Sequence, residues 1–239
     1  MSTVEGAGAA LAYREEGSGR SVVVVHDVAA DAEAWAPELA RLGGRAVAYS
    51  RRGYGGSTAP EGYAATTVEE QAEDLAALLR GLDAAPALLL GDGFGALVAL
   101  DVAKRYPALV AALVLADAPL YAFVPEATQA MAEQRSSLEE ALRAGGPPAV
   151  IAAYLEGRAD AGQVARAQVA APAFFADYAG LSSWPVTRRE LRAITIATVV
   201  LTRRGAAPHV VAAADALAGL LPVATRMRDG DPVVAEASR

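Results

Sequence analysis

The sequence predicts one α/β domain built on a mostly parallel, doubly wound sheet. Four consecutive valines at positions 22–25 form a β-branched run, which is typical of a strand buried on both faces inside a parallel sheet. Short apolar segments alternate with helical patterns of about 10 to 15 residues, as in successive βαβ units. Between residues 120 and 191 the strand patterns stop and alanine-rich helical sequence replaces them, which predicts a helical insertion over one end of the sheet.

The elements follow in order along the chain. Asp31 and Thr67 are suited to cap the first two helices, and Pro107 ends the third. We predict strands at 9–15, 22–25, 46–49, 87–90, 110–115, 194–201 and 223–227. Core helices are predicted at 31–42, at 68–82, from the glycine-rich turn at 91–95 to 106, and at 209–220. Residues 1–119 and 192–239 then form one core, and residues 120–191 form the insertion.

Composition excludes several classes of function. Hydrophobic residues make up 54% of the 239 residues and charged residues 21%, which supplies one buried core and argues against disorder. The net charge of −7 argues against nucleic acid as a partner, because phosphate binding needs clustered cations. The chain has no cysteine and two histidines, so neither disulfides nor a metal site with recognisable ligand spacing is expected. No cofactor is expected either.

The location of the protein is predicted from its termini and hydropathy. The first eight residues lack the basic start and apolar run of a signal peptide. Charges, prolines or glycines interrupt every stretch that approaches the roughly 20 apolar residues of a membrane span. We therefore expect a cytoplasmic protein without a membrane partner, and a homodimer remains open.

Five short motifs carry a resemblance to a known family. Each is weak alone, but their order and spacing are informative. They are His26-Asp27 after the valine run, Arg52-Gly53-Tyr54-Gly55-Gly56-Ser57, Gly91-Asp92-Gly93-Phe94-Gly95, Leu113-Val114-Leu115-Ala116-Asp117 and Gly205-Ala206-Ala207-Pro208. In this order, over nearly the whole chain, they resemble the α/β-hydrolase superfamily. The resemblance implies an α/β-hydrolase fold with a helical cap.

The same resemblance implies that the family's catalytic triad is missing. Gly93 stands where the nucleophile of the strand-to-helix turn belongs, and Ala207 stands where the acid belongs. No histidine follows the last strand, near residues 229–232, where the base is expected. Glycine cannot attack a carbonyl and alanine cannot orient an imidazole. Serine-hydrolase activity is therefore predicted to be absent, although the backbone N–H groups of Val28 and Phe94 are expected to form an oxyanion hole.

Three polar residues near this turn are candidate catalytic groups. His26 is a candidate acid or base, and its alternative role is to brace the oxyanion loop. Asp27 replaces a glycine of the family pattern and is either a carboxylate base or a solvated loop residue. Asp92 is either a base beside the turn or a side chain directed sideways into polar neighbours.

Aromatic residues concentrate in the helical insertion. Tyr121, Phe123 and Trp184 are candidate walls of an apolar ligand pocket, together with Phe174, Phe175 and Tyr178. Packing of the insertion helices is the alternative, because such helices must bury their apolar faces in any case. His209 is expected to be a surface residue at the start of a helix, and Asp117 a helix or turn cap.

Several functions remain open at this level. One is a non-hydrolytic protein that binds a small, mostly apolar organic molecule. A second is an enzyme of altered chemistry, such as a lyase, a cyclase or a proton-transfer catalyst, that uses Asp92, Asp27 or His26 beside a retained oxyanion hole. The others are a structural subunit that presents a surface to a partner and an atypical hydrolase that uses a bound water.

Overall fold

The fold is an eight-stranded sheet with helices on both faces. The computed structural model describes residues 1–180 and 184–229. The strands lie in the order β1-β2-β4-β3-β5-β6-β7-β8, with β2 antiparallel to both of its neighbours and the other pairs parallel. Their bounds are Ser2–Glu5 (β1), Ala10–Gly17 (β2), Ser21–Val25 (β3), Arg45–Tyr49 (β4), Ala87–Asp92 (β5), Val110–Ala116 (β6), Thr198–Thr202 (β7) and Ala224–Arg228 (β8). The predicted α/β-hydrolase fold class is confirmed.

Nine α-helices connect these strands within the described residues. Their bounds are Ala32–Trp35 (α1), Leu39–Leu42 (α2), Val68–Gly81 (α3), Phe94–Arg105 (α4), Ala127–Leu155 (α5), Ala161–Val169 (α6), Ala171–Gly180 (α7), Arg188–Arg192 (α8) and Pro208–Leu220 (α9). In this part of the chain, none of the helices combines the length and apolarity needed to cross a membrane.

Helix α4 is the centre of the core. Every residue from 94 to 103 is buried, because α4 packs against α3 on one side and against the central strands on the other. Helix α3 begins with a capping box, in which Thr67 and Glu70 each bond the other's backbone N–H. This reciprocal pair satisfies N–H groups that have no partner inside the helix and fixes where α3 starts.

The structure corrects several predicted boundaries. No pattern in the sequence predicts β1, which pairs at the sheet edge with β2. The helix predicted at 31–42 is divided into α1, a 3-10 turn at Ala36–Glu38 and α2, because Pro37 cannot donate a helical hydrogen bond. The strand predicted from 194 begins only at Thr198, since Ile194 closes the turn after α8.

The described residues between β6 and β7 carry helices and no strand, as predicted. The longest, α5, is kinked at Gly146, which adopts a φ of 69° just before Pro147 and Pro148. Glycine tolerates this left-handed conformation, and the two prolines cannot continue the hydrogen-bond ladder of the preceding helix. The kink returns the second half of α5 towards α6 and α7, which pack against it.

A buried ion pair attaches these helices to the core. The guanidinium of Arg51, in the loop after β4, donates from Nη2 to Asp177 Oδ2 of α7 at 2.6 Å, and both side chains are fully buried. Asp177 also accepts hydrogen bonds from the Tyr54 hydroxyl at 2.8 Å and from Gln71 Nε2 at 3.1 Å. A buried charge is tolerated only when it is paired and hydrogen-bonded, so this network fixes α7 over the loop.

We predict that Asp177→Ala lowers the free energy of unfolding by about 3–5 kcal/mol, because it leaves the Arg51 guanidinium buried without a counter-ion. Chemical denaturation measures the change. Glu139→Gln is the matched control in the same group of helices, since it breaks an ion pair with Arg135 whose side chains are 52% and 75% exposed. The control should leave the denaturation midpoint nearly unchanged, and equal losses in the two variants would contradict the prediction.

Candidate active-site region

A sharp turn joins β5 to α4 at the carboxyl edge of the sheet. Gly93 lies between them with φ 50° and ψ −119°, a conformation that L side chains rarely adopt. Its N–H donates to the carbonyl oxygen of Ala116 at 2.9 Å, which fixes the turn against β6. A methyl group on Gly95 would overlap the Val25 carbonyl, so glycine there lets α4 approach β3 closely.

The carboxylate of Asp27 fills the space beside Gly93. A methyl group at Gly93 would overlap both carboxylate oxygens of Asp27. One of them, Oδ1, accepts a hydrogen bond from the Phe94 N–H at 2.8 Å. The volume that a side chain at the turn would need is therefore taken by the Asp27 side chain, which comes from the loop after β3.

The surroundings of Asp27 raise its pKa towards neutral pH. Burial is the largest cause and, with the nearby Asp92 charge, raises the pKa of Asp27 to about 6. Hydrogen bonds from the N–H groups of Phe94 and Val28, and the Arg51 charge, lower the pKa of Asp27 in part. The N–H groups of Val28 and Phe94, which were expected to form an oxyanion hole, therefore donate hydrogen bonds to the Asp27 carboxylate.

Both ring nitrogens of His26 form hydrogen bonds with backbone groups. Its Nδ1 lies 2.7 Å from the Asp27 carbonyl, and its Nε2 accepts from the Arg51 N–H at 2.9 Å. Burial and then the Arg51 charge lower the pKa of His26 well below its usual value, which keeps the ring neutral. The candidate role of His26 as an acid or base does not fit this geometry, because no ring nitrogen is left for a ligand. His26 braces the loop that carries Asp27.

Asp92 forms an ion pair with Arg203, a residue that the sequence analysis did not single out. Arg203, just after β7, donates from Nη2 to Asp92 at 2.6 Å and from Nη1 to Asp117 at 2.8 Å. Burial raises the pKa of Asp92, and Arg203 opposes the shift. Asp92 is therefore part of an ion-pair cluster rather than a free base. Arg203 could have been suspected, because residues that follow parallel strands meet at one edge of the sheet.

Ala207, at the position where the acid is expected, is exposed at the start of a helix. Ala207 is the N-cap of α9, and its side chain makes no capping hydrogen bond. The half-buried His209 packs edge-on against Tyr121 at a centroid distance of 5.4 Å, and partial burial lowers its pKa. In the segment expected to carry the base, the Asp229 N–H donates to Thr202, and residues 230–232 lie outside the described residues.

A cavity of about 360 Å³ lies between α5 and α7. Its walls are mainly apolar and include three of the aromatic residues singled out in the sequence. They are Leu138, Leu142, Val150, Phe174, Phe175, Tyr178 and Ala179, with Arg135 and Glu139 at the edge.

The three residues first proposed as pocket walls lie elsewhere. Trp184 is buried and donates from Nε1 to Asp101 of α4 at 3.0 Å. Phe123 packs under the Arg188 guanidinium at 4.7 Å from the ring centroid, and Tyr121 packs against His209. None of the three lines this cavity, because each is held by a neighbour that the sequence pattern could not identify.

Comparisons with known proteins agree with the geometry of the fold. The family model described as the alpha/beta hydrolase fold matches residues 21–155. The chain is 33% identical over 153 residues to 2-(acetamidomethylene)succinate hydrolase of Mesorhizobium japonicum, which covers 62% of this chain and 52% of that protein. It is 39% identical over 85 residues to a putative carbamate hydrolase, RutD, of Pantoea ananatis, with 34% and 30% covered. The chain thus matches about half or less of the length of these relatives.

Solved structures show the same fold at low sequence identity. A hydrolase from Pseudomonas aeruginosa PA01 superposes with a TM-score of 0.76 at 22% identity, covering 99% of this chain and 96% of that one. The esterase EaEST from Exiguobacterium antarcticum superposes with a TM-score of 0.77 at 20% identity, covering 95% and 89%.

We predict that Gly93→Ala and Asp27→Gly are strongly coupled. Gly93→Ala alone should cost about 2–4 kcal/mol of folding free energy, because the new methyl group overlaps the carboxylate and the backbone there has positive φ. In an Asp27→Gly background the overlap disappears and only the backbone strain remains, so the cost should fall by more than about 1 kcal/mol. Denaturation of the wild type, the two single variants and the double variant measures the coupling. Additive costs would show that the carboxylate does not fill this space.

Proposed function

This chain belongs to the α/β hydrolase family, and from that premise we propose that it is a non-hydrolytic member that binds a small, mostly apolar molecule. One observation carries the proposal: the Asp27 carboxylate occupies the side-chain volume at the turn and accepts the Phe94 N–H that a reacting carbonyl oxygen would need. A carbonyl that cannot reach these donors gains no oxyanion stabilisation.

The remaining groups do not rebuild a nucleophilic mechanism. An acyl-enzyme needs an activated nucleophile, a base within hydrogen-bond reach of it and a group that orients the base. Gly93 has no side chain and Ala207 has no acid. His26 has both ring nitrogens bonded to backbone, so it accepts no proton from a ligand. We propose on these grounds that the triad of the family is not functional in this chain.

The cavity between α5 and α7 supports the binding part of the proposal. Its volume of about 360 Å³ lies within the range of about 300–1,000 Å³ that is usual for small-molecule sites. Its apolar walls favour ligands that gain free energy from burial. Arg135 and Glu139 at the edge are polar groups that a ligand could contact at one end.

A second candidate function is proton transfer by Asp27. The pKa of Asp27 of about 6 suits a carboxylate base, since a general base works best with a pKa near the working pH. The same carboxylate already uses the Phe94 donor, so this chemistry would have no oxyanion hole beside it. That conflict makes binding the better-supported function.

We predict that a fluorophosphonate probe does not label the protein and that p-nitrophenyl acetate is hydrolysed only at the rate of denatured protein. The physical reason is the missing nucleophile at Gly93. An active esterase of the same family, treated in parallel, verifies the probe. Stoichiometric labelling, located by peptide mass spectrometry on a serine or threonine, would refute a non-hydrolytic function.

We predict that N-phenyl-1-naphthylamine, a neutral apolar fluorophore, binds in the cavity and that Leu142→Trp weakens this binding at least tenfold. Leu142 lines the cavity, so an indole there should occupy the space that the fluorophore needs. Val169→Trp is the matched control, because Val169 is 87% exposed on α6 and is absent from the cavity walls. Equal fluorescence titrations for both variants would place the fluorophore elsewhere.

A further inference from the structure

We infer, on the basis of the proposed binding function, that the cavity between α5 and α7 takes a small monocarboxylate. The apolar body of this ligand lies among the aromatic walls, and its carboxylate binds the guanidinium of Arg135. The polar groups of the walls are mainly hydrogen-bond donors, which favours an anion over a cation at the polar end of a ligand.

The cavity is built from one face of each of two helices. The wall residues of α5 before its kink are spaced i, i+3, i+4, i+7, and those of α7 are spaced i, i+1, i+4, i+5, so each set shares one helix face. They are Arg135, Leu138, Glu139 and Leu142 of α5 and Phe174, Phe175, Tyr178 and Ala179 of α7. Arg135 and Glu139 therefore form one row along the cavity, and Leu138 and Leu142 form the row beside it.

The cavity is open to solvent on the side of α5. Arg135, Glu139 and Leu142 are exposed, whereas Leu138 and Phe174 are buried. A ligand can therefore enter past the exposed residues and place its apolar body against the buried ones. Burial of that body supplies the favourable free energy, and the polar end remains beside Arg135.

Three aromatic rings form the apolar wall on α7. Phe174 lies nearly parallel to Tyr178, at a centroid distance of 6.1 Å and an interplanar angle of 15°, and packs edge-on against Phe175 at 5.2 Å. Both arrangements are favoured between aromatic rings. Because the rings hold one another in place, the wall exists before a ligand arrives, which lowers the entropy cost of binding.

Arg135 has N–H donors that its partner Glu139 does not use. The Nε of Arg135 donates to Glu139 Oε1 at 2.8 Å, and no acceptor in the described part of the chain bonds Nη1 or Nη2. A guanidinium can bind a second carboxylate through these two nitrogens. The pair with Glu139 is exposed and contributes little to stability, so it orients Arg135 without preventing a ligand from binding.

The other polar groups of the walls also favour an anion. The Tyr178 hydroxyl, which makes no hydrogen bond within residues 1–180 and 184–229, can donate to a carboxylate. Burial raises the pKa of Tyr178, and the Arg135 charge opposes this shift more than the Glu139 charge adds to it, so the hydroxyl stays protonated at neutral pH. An ammonium ligand would meet only a Glu139 carboxylate that is already paired, and the guanidinium would repel it.

The test compares three ligands with an equally long apolar body: 4-phenylbutyrate, the neutral 4-phenylbutanamide and 4-phenylbutylamine. Binding to the full chain is measured by NMR titration at pH 7. Arg135→Met keeps an apolar stem at this position and removes the donors. Arg143→Met is the matched control, because Arg143 is an exposed arginine of the same helix and is absent from the cavity walls.

The wild type should bind the carboxylate about fivefold to tenfold more tightly than the amide or the amine. Arg135→Met should remove this preference, whereas Arg143→Met should keep it. Glu139→Gln should strengthen carboxylate binding about twofold or more, because it removes a negative charge beside the ligand carboxylate. Leu142→Trp should weaken all three ligands, since it fills the cavity in which their common body lies.

Equal binding of the carboxylate and the amide to the wild type, or a preference that survives Arg135→Met, would overturn the inference. The neutral fluorophore keeps this result separate from the proposed function. If the fluorophore binds in the cavity but the carboxylate is not preferred, the charge selectivity is wrong and the binding function stands. If neither the fluorophore nor any of the three ligands binds, the binding function itself is wrong.

Discussion

The hydrogen bond between the Phe94 N–H and the Asp27 carboxylate is the contact on which the site depends. The first N–H groups of a helix have no intrahelical partner and attract anions, and the turn at Gly93 directs those of α4 towards the end of β3. Here the anion belongs to the chain itself. An external anion would have to compete for the Phe94 N–H with a group that is held in place at high effective concentration.

Hydrogen bonds from His26 and Arg51 hold the loop that carries Asp27 in place. The Asp27 carbonyl contacts His26 Nδ1 and accepts from Arg51 Nη2 at 3.2 Å, and Arg51 is held in turn by Asp177 of α7. The Arg51–Asp177 ion pair is fully buried, so the loss of either partner leaves the other charge unsatisfied. The insertion helices therefore stabilise the position of Asp27 through the same network that attaches them to the sheet.

Charged side chains that are far apart in the sequence lie close together at the carboxyl edge of the sheet. Asp92 ends β5, Asp117 follows β6 and Arg203 follows β7, which are neighbouring parallel strands. The arginine bridges the two carboxylates. This cluster takes the place of a free base beside the turn. Strand endings predict that such residues meet, but the sequence does not tell which arginine will form the ion pairs.

The sequence by itself determined the fold class, the glycine turn and the absence of a side chain at Gly93, because these depend on local periodicity and on residue identity. It missed β1, which is stabilised by pairing at the sheet edge rather than by an apolar pattern. Only the tertiary structure decided that Asp27 fills the turn, since the Asp27 carboxylate and the Phe94 N–H meet across 67 residues. The same holds for Trp184, whose partner Asp101 lies on a helix that no local pattern connects to it.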